Sequence, residues 1–139
     1  MNRFVLDASI ALAWFLDKPV PAYAVQVRQD LIAGMRAVVP ALWHLEMANG
    51  LAVAERRKIL SSADVIQGLA NIEKFNGQAV DTITDTFSVR QALVTARRFQ
   101  LSAYDSVYLD LARDEALPLA TLDKSLRSAA NQAGVALIT

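Results

Sequence analysis

A chain of 139 residues, 54% of them apolar and 20% charged, is long enough to bury a core without disulfides or a structural metal and too apolar to stay disordered. It has no cysteine, which excludes disulfides, thiolate zinc sites and thiol catalysis, and its 14 basic and 14 acidic side chains balance, so no overall field marks it as a nucleic-acid binder. No apolar run reaches bilayer length, and strand-like sequence begins within a few residues of Met1, so the expectation is a single cytoplasmic domain over residues 1–139 with no signal segment and no membrane association.

Phe4-Val5-Leu6 is an apolar run too short for a helix, and it ends in Asp7, Ala8 and Ser9, after which the pattern turns helical. This predicts a buried parallel strand that delivers an acid at its C-terminal edge, where open α/β sheets place their ligand sites. Ala8 to Leu16 reads as a buried first helix closed by Asp17-Lys18-Pro19. Pro21 suits the first turn of a second, amphipathic helix, in which Val20, Ala24, Val27 and Leu31 recur at helical spacing to about Gly34. Ala37-Val38-Val39, stopped by Pro40, predicts a second strand, and Ala41 to about Lys58 a third helix. Between Ala41 and Ala54 only His44, Glu46 and Asn49 are polar, which predicts burial on most faces. Ser61 with Asp64 resembles a capping box, and Leu60 and Val65 its hydrophobic staple, for a fourth helix to about Phe75.

Gln78 to Asp81 is a weaker strand pattern. A fifth helix from Thr84 or a neighbour carries the apolar stripe Val89, Ala92, Ala96 and Phe99, and Ser102 caps a sixth, Ala103 to about Ala116. Leu117 to Thr121 reads as a strand with its proline at the beginning, where a missing donor matters least. Asp123 follows, then a short helix ended by Gly134, and Val135 to Ile138 as a last strand. Strands that alternate with helices in this way predict an α/β fold, a three-layer α/β/α sandwich with a central, mostly parallel sheet. The basic groups Arg56, Arg57, Lys58, Arg97 and Arg98 read first as solvated helix ends and second as phosphate-steering charges.

Four carboxylates stand where a lone charge is costly. Asp7 reads equally as an N-cap or as a metal ligand. Glu46 lies mid-helix among Leu42, Leu45, Met47 and Ala48, where a carboxylate is desolvated unless it reaches the surface from the helix edge. Asp105 occupies the acidic position of a capping motif begun by Ser102, yet shares a helix side with Leu109 and Ala112, away from Asp110, Arg113 and Asp114. Asp123 follows a strand and is otherwise a turn or capping aspartate. If the strands before Asp7 and Asp123 are neighbours where strand order reverses, all four acids meet in one crevice, within a few ångströms. Such a cluster suits a hard cation, Mg²⁺ or Mn²⁺, bound through oxygen. Ser9 and Thr121 are then placed to orient a carboxylate or a substrate phosphate, and Asn49, one turn from Glu46, to support it. The single histidine, His44, falls on the opposite side of its helix from Glu46.

At these residues the sequence closely resembles the PIN domain family, and within it the VapC-like toxins of toxin–antitoxin pairs. The segments that carry the resemblance are Phe4-Val5-Leu6-Asp7-Ala8-Ser9, then Pro40 to Asn49 with Trp43, Glu46 and Asn49, then Leu101-Ser102-Ala103-Tyr104-Asp105 with Tyr108 and Ala112, and last Thr121-Leu122-Asp123. It implies a metal-dependent endoribonuclease in which Asp7, Glu46 and Asp105 hold the metal or position water, while Asp123 serves a second ion or stands further out. It also implies RNA such as tRNA or ribosomal RNA as substrate, a homodimer, and a VapB-like antitoxin whose C-terminal segment covers the site. The helices around Trp14, Phe15, Val27 and Ile72 offer an apolar groove for that segment. The competing function is a catalytically silent PIN-like module that holds a basic peptide in the acidic crevice. A metal-dependent phosphatase or a receiver-like domain is disfavoured, because Ser9 stands where the phosphatase carries its second aspartate and the receiver's acid pair and lysine are not evident.

Overall fold

The protein is described here by a computed structural model covering residues 2–139. In chain order the elements are β1 (Arg3–Leu6), α1 (Ala8–Leu16), α2 (Ala22–Ile32), β2 (Arg36–Pro40), α3 (Ala41–Arg56), α4 (Ser62–Ala79), β3 (Val80–Ile83), α5 (Val89–Phe99), α6 (Ala103–Asp114), β4 (Leu119–Ala120) and α7 (Lys124–Ala133). The strands form one parallel sheet in the order β3-β2-β1-β4. β1 is the pivot: Val5 pairs with Val38 of β2 on one side, and Leu6 with Ala120 of β4 on the other. The chain therefore winds outward from β1 in one direction and returns to its other side, which opens a crevice at the C-terminal ends of β1 and β4.

Helices cover both faces, giving the three-layer α/β/α sandwich expected of the sequence. α1 packs against α2 and α3, and α3 against α4; across the sheet α6 touches β1, β2 and β4 and is flanked by α5 and α7. Fully buried Phe4, Val5, Leu6, Val38 and Val39 form the sheet's contribution to the core, joined by Trp43, Tyr108, Leu109 and Leu126 from the helices. The continuous apolar run of β1 is thus explained by burial on both sides. No helix among the described residues is long and apolar enough to cross a membrane.

Local chemistry accounts for most boundaries. Ser61 and Asp64 form the reciprocal capping box, with Leu60 and Val65 both packed on the core. Ser102 accepts from the Asp105 N–H to start α6, and Gly134, at φ +75°, ends α7 in a left-handed turn that a residue with a Cβ would resist.

Five expectations are corrected. α4 continues past Phe75 to Ala79, so β3 starts at Val80 rather than Gln78. α5 begins only at Val89, because Ser88 supplies the cap by accepting from the Gln91 N–H. Its inward face uses Thr95, 2% exposed, while Val89 is 86% exposed. α3 is not buried on most faces: Trp43, Met47, Leu51 and Ala54 face the core, but Leu45 is 71% exposed. Finally, β4 shrinks to Leu119–Ala120, and the expected last strand is a single bridge between Leu119 and Leu137.

Candidate functional site

Asp7 leaves the end of β1 and is buried, with 5% of the residue exposed. It stands at the N-cap of α1 but makes no side-chain capping bond. Its Oδ2 instead accepts from Ser9 Oγ at 2.6 Å and from Thr121 Oγ1 at 2.7 Å. The same two hydroxyls also accept backbone N–H bonds, Ser9 from Leu122 and Thr121 from Asp123, each at 3.0 Å. The β1–α1 turn and the turn before α7 are thereby tied together around one carboxylate oxygen. Burial raises the Asp7 pKa; the two hydroxyls oppose the rise and the charge of Asp123 adds to it.

Glu46 is half-buried on the second turn of α3, and Tyr108 Oη donates to its Oε1 at 2.6 Å. Its pKa is raised by burial first, against the Tyr108 hydrogen bond, and then by the charges of Asp7 and Asp105. Asp105, in the first turn of α6, is pushed up to about 6 by burial and then by Asp7 and Asp123. Asp123 does cap α7, since its Oδ1 accepts from the Leu126 N–H at 2.8 Å, so capping and charge coexist on that residue. Asp7, Glu46 and Asp105 therefore each feel the charge of at least one other acid of the set.

The expected spacing of a few ångströms is not met as a ready ligand cage. Among the described residues no three His, Cys, Asp or Glu side chains already stand together as a metal cluster. One reason is visible at Asp7, whose Oδ2 is turned to the two hydroxyls. The donor chemistry still suits a hard divalent cation: the groups are all oxygens, neighbouring charges disfavour ionisation of Asp7, Glu46 and Asp105, and among the described residues no lysine or arginine forms an ion pair with them. Among the described residues the ion pair is Arg36 with Asp81, at 2.8 Å and exposed, and it involves none of the four.

The supporting residues divide. Ser9 and Thr121 both hold Asp7, as their positions suggested. Asn49 is exposed on α3 and makes no hydrogen bond to Glu46 among the described residues, so the expected support comes from elsewhere. It comes from Tyr108, whose spacing of three from Asp105 on a helix already places it on the same side. His44 lies edge-on to Trp43 and bonds Thr82 at 2.9 Å, directed toward the β3 edge. Asp110 is not on the open face of α6 as its neighbours suggested, because Thr95 donates to it at 2.8 Å.

Solved structures share this arrangement of chain. The PAE2754 protein of Pyrobaculum aerophilum superimposes with a TM-score of 0.67 at 22% identity, covering 92% of this chain and 84% of that one. FitAcB of Neisseria gonorrhoeae gives 0.66 at 18% identity over 98% and 96% of the two chains. VapBC2 of Rickettsia felis, solved bound to a DNA fragment from its promoter, gives 0.62 at 14% identity over 98% and 97%. No curated protein sequence matches the chain. The family described as PIN domain matches residues 4–132, a span that takes in Asp7, Glu46, Asp105 and Asp123. With nearly its whole length matched and the sheet order that sets Asp7 beside Thr121 and Asp123, the chain belongs to the PIN domain family.

Proposed function

We propose that this chain is a Mg²⁺- or Mn²⁺-dependent endoribonuclease, the toxin of a toxin–antitoxin pair acting on structured RNA in the cytoplasm, with Asp7, Glu46, Asp105 and Asp123 as its catalytic and metal-binding acids. PIN domains are generally nucleases, and the likeness to VapBC2 supports the VapC-like assignment within the family. One observation carries the reading: at the strand-order reversal burial raises the pKa of Asp7, Glu46 and Asp105, the charges of neighbouring acids add to each rise, and among the described residues no basic side chain forms an ion pair with them. A protein that gathers carboxylates at one sheet edge, where their charges oppose one another, needs a cation to neutralise them.

The chain's own groups divide the work. Ser9 and Thr121 hold Asp7 in one orientation, and Tyr108 holds Glu46, so that two acids face the crevice without rotating freely. Asp105 and Asp123 enter from helix N-termini on the other side of the sheet edge. A divalent cation bound there supplies charge neutralisation and activation of water near neutral pH. No serine–histidine pair competes as nucleophile, since Ser9 is engaged with Asp7 and His44 with Thr82. Attack of water on phosphorus, with the bond to the 3′ oxygen breaking, leaves a 5′-phosphate and a 3′-hydroxyl; a 2′,3′-cyclic phosphate would contradict it.

An antitoxin segment fits the apolar groove between α1, α2, α3 and α4, of ≈ 520 Å³, whose walls include Trp14, Phe15, Met47, Ile72 and Phe75. A homodimer is the proposed assembly. The test is to incubate partner-free protein with total cellular RNA and Mg²⁺ or Mn²⁺, with chelator and Asp105→Asn controls, and to sequence the new 5′ ends. Discrete cuts that vanish in both controls establish the nuclease and name its substrate. Folded protein that binds Mn²⁺ and makes no cuts favours the silent binding module.

A further inference from the structure

Arg127 stands one helical turn after Asp123, its backbone N–H bonded to the Asp123 carbonyl at 2.9 Å, yet its guanidinium forms no ion pair with any acid of the site. Two other contacts use it. Nη1 donates to the Thr121 carbonyl at 2.9 Å, and the guanidinium carbon lies 4.8 Å from the centroid of the Tyr23 ring. Tyr23 is itself fastened, its hydroxyl donating to the Ile138 carbonyl at 2.7 Å, and the Ile138 N–H returns to the Leu119 carbonyl of β4 at 3.0 Å. The contacts thus run from α2 and the C-terminal segment through Arg127 to Thr121, whose hydroxyl donates to Asp7 and accepts from the Asp123 N–H.

On the nuclease reading above, we propose that Arg127, stacked on Tyr23, is a positioning residue of the acidic site: by gripping the Thr121 carbonyl it holds the turn between β4 and α7 in the one geometry that presents Thr121 to Asp7 and aims Asp123 at the crevice. Arginine suits this place for a physical reason. Its planar head stacks on an aromatic ring while donating in its own plane, which a lysine ammonium cannot do at once. Turned to a carbonyl and a ring, the charge is also kept from pairing with Asp123, where it would occupy a carboxylate that the cation needs.

The test uses the full chain and four variants, Arg127→Ala, Arg127→Lys, Tyr23→Leu and Tyr23→Phe. Amide exchange by NMR is read at Leu122 and Asp123 against core amides such as Val38, alongside calorimetric Mn²⁺ affinity, kcat and KM. Arg127→Ala and Tyr23→Leu are expected to speed exchange at Leu122 and Asp123 while Val38 stays protected, and to weaken Mn²⁺ binding about tenfold, the usual effect of removing a group that orients a ligand. kcat is expected to fall with KM nearly constant, Arg127→Lys to fail to rescue, and Tyr23→Phe, which keeps the ring but loses the bond to the Ile138 carbonyl, to fall between wild type and Tyr23→Leu. Unchanged exchange and Mn²⁺ affinity in Arg127→Ala overturn the proposal. So does a rise in KM at constant kcat, which would make Arg127 a substrate contact. Should Arg127→Ala not fold, Arg127→Lys and Tyr23→Leu decide by the same criteria. A wild type that neither binds Mn²⁺ nor cuts RNA removes the nuclease reading, and the exchange measurement still decides whether Arg127 holds the turn.

Discussion

Because burial, and then the charges of Asp7 and Asp123, push Asp105 up to about 6 from the ordinary 3.8, the folded chain retains a proton there that the unfolded chain has lost. The stability this proton brings is complete below the unfolded value and is lost as pH rises through the folded one, so metal-free protein is expected to weaken between about pH 4 and pH 6. Asp105→Asn should flatten that part of the curve and raise Tm at neutral pH without metal, while abolishing RNA cleavage; melting in chelator across the range measures it. A variant that melts below wild type at neutral pH would remove the shared-charge account. Tyr108→Phe keeps the buried ring and deletes the donor to Glu46, so it should cost about 1–2 kcal/mol in urea unfolding and lower kcat more than it raises KM. At this scale the sequence left Asp7 balanced between cap and ligand. The bonds from Ser9 and Thr121, and the missing capping bond, decide what its carboxylate does in the fold.

Helix contacts in this fold depend on where a side chain is missing. Gly50 lies on α3 against α1, and a Cβ there would meet Leu12 inside contact distance, whereas one at Gly68 on α4 would meet Leu51 and Phe15 at an ordinary 3.7 Å. Gly68→Ala should therefore stabilise by about 0.5–1 kcal/mol through helix propensity, and Gly50→Val should destabilise by about 1–3 kcal/mol through overpacking; equilibrium unfolding of both variants checks the pair. Hydrophobic periodicity revealed α1, α2, α6 and α7 nearly to their ends, because each has a cap or a closing residue beside an apolar run. It read α5 only in part: Ala92, Ala96 and Phe99 of the expected stripe are half-buried, but the buried residue of the helix is Thr95. A threonine reads as surface until its hydroxyl is seen to find Asp110, and the apolar Val89 reads as core although it lies outside.

Binding of a cation to the folded chain alone should stabilise the whole molecule. At Mn²⁺ a hundredfold above Kd the gain is about 2.7 kcal/mol, which for a domain of this size raises Tm by roughly 8 °C. Asp7→Asn should lose most of that increment, and scanning calorimetry with and without Mn²⁺ reads it; an equal increment in both proteins would place the ion elsewhere. By itself the sequence determined the alternation of strands and helices, the parallel sheet, and the placing of Asp7, Asp105 and Asp123 at strand ends or helix beginnings with Glu46 inside a helix, because propensity, capping and apolar period act over a few neighbouring residues. Only the tertiary structure decided that β4 pairs with β1 on the side away from β2, that Thr121 meets Asp7 across the chain, and that Tyr108 rather than Asn49 serves Glu46. These are contacts between residues separated by 62 to 114 positions, and they follow from how whole faces pack, which no local pattern encodes.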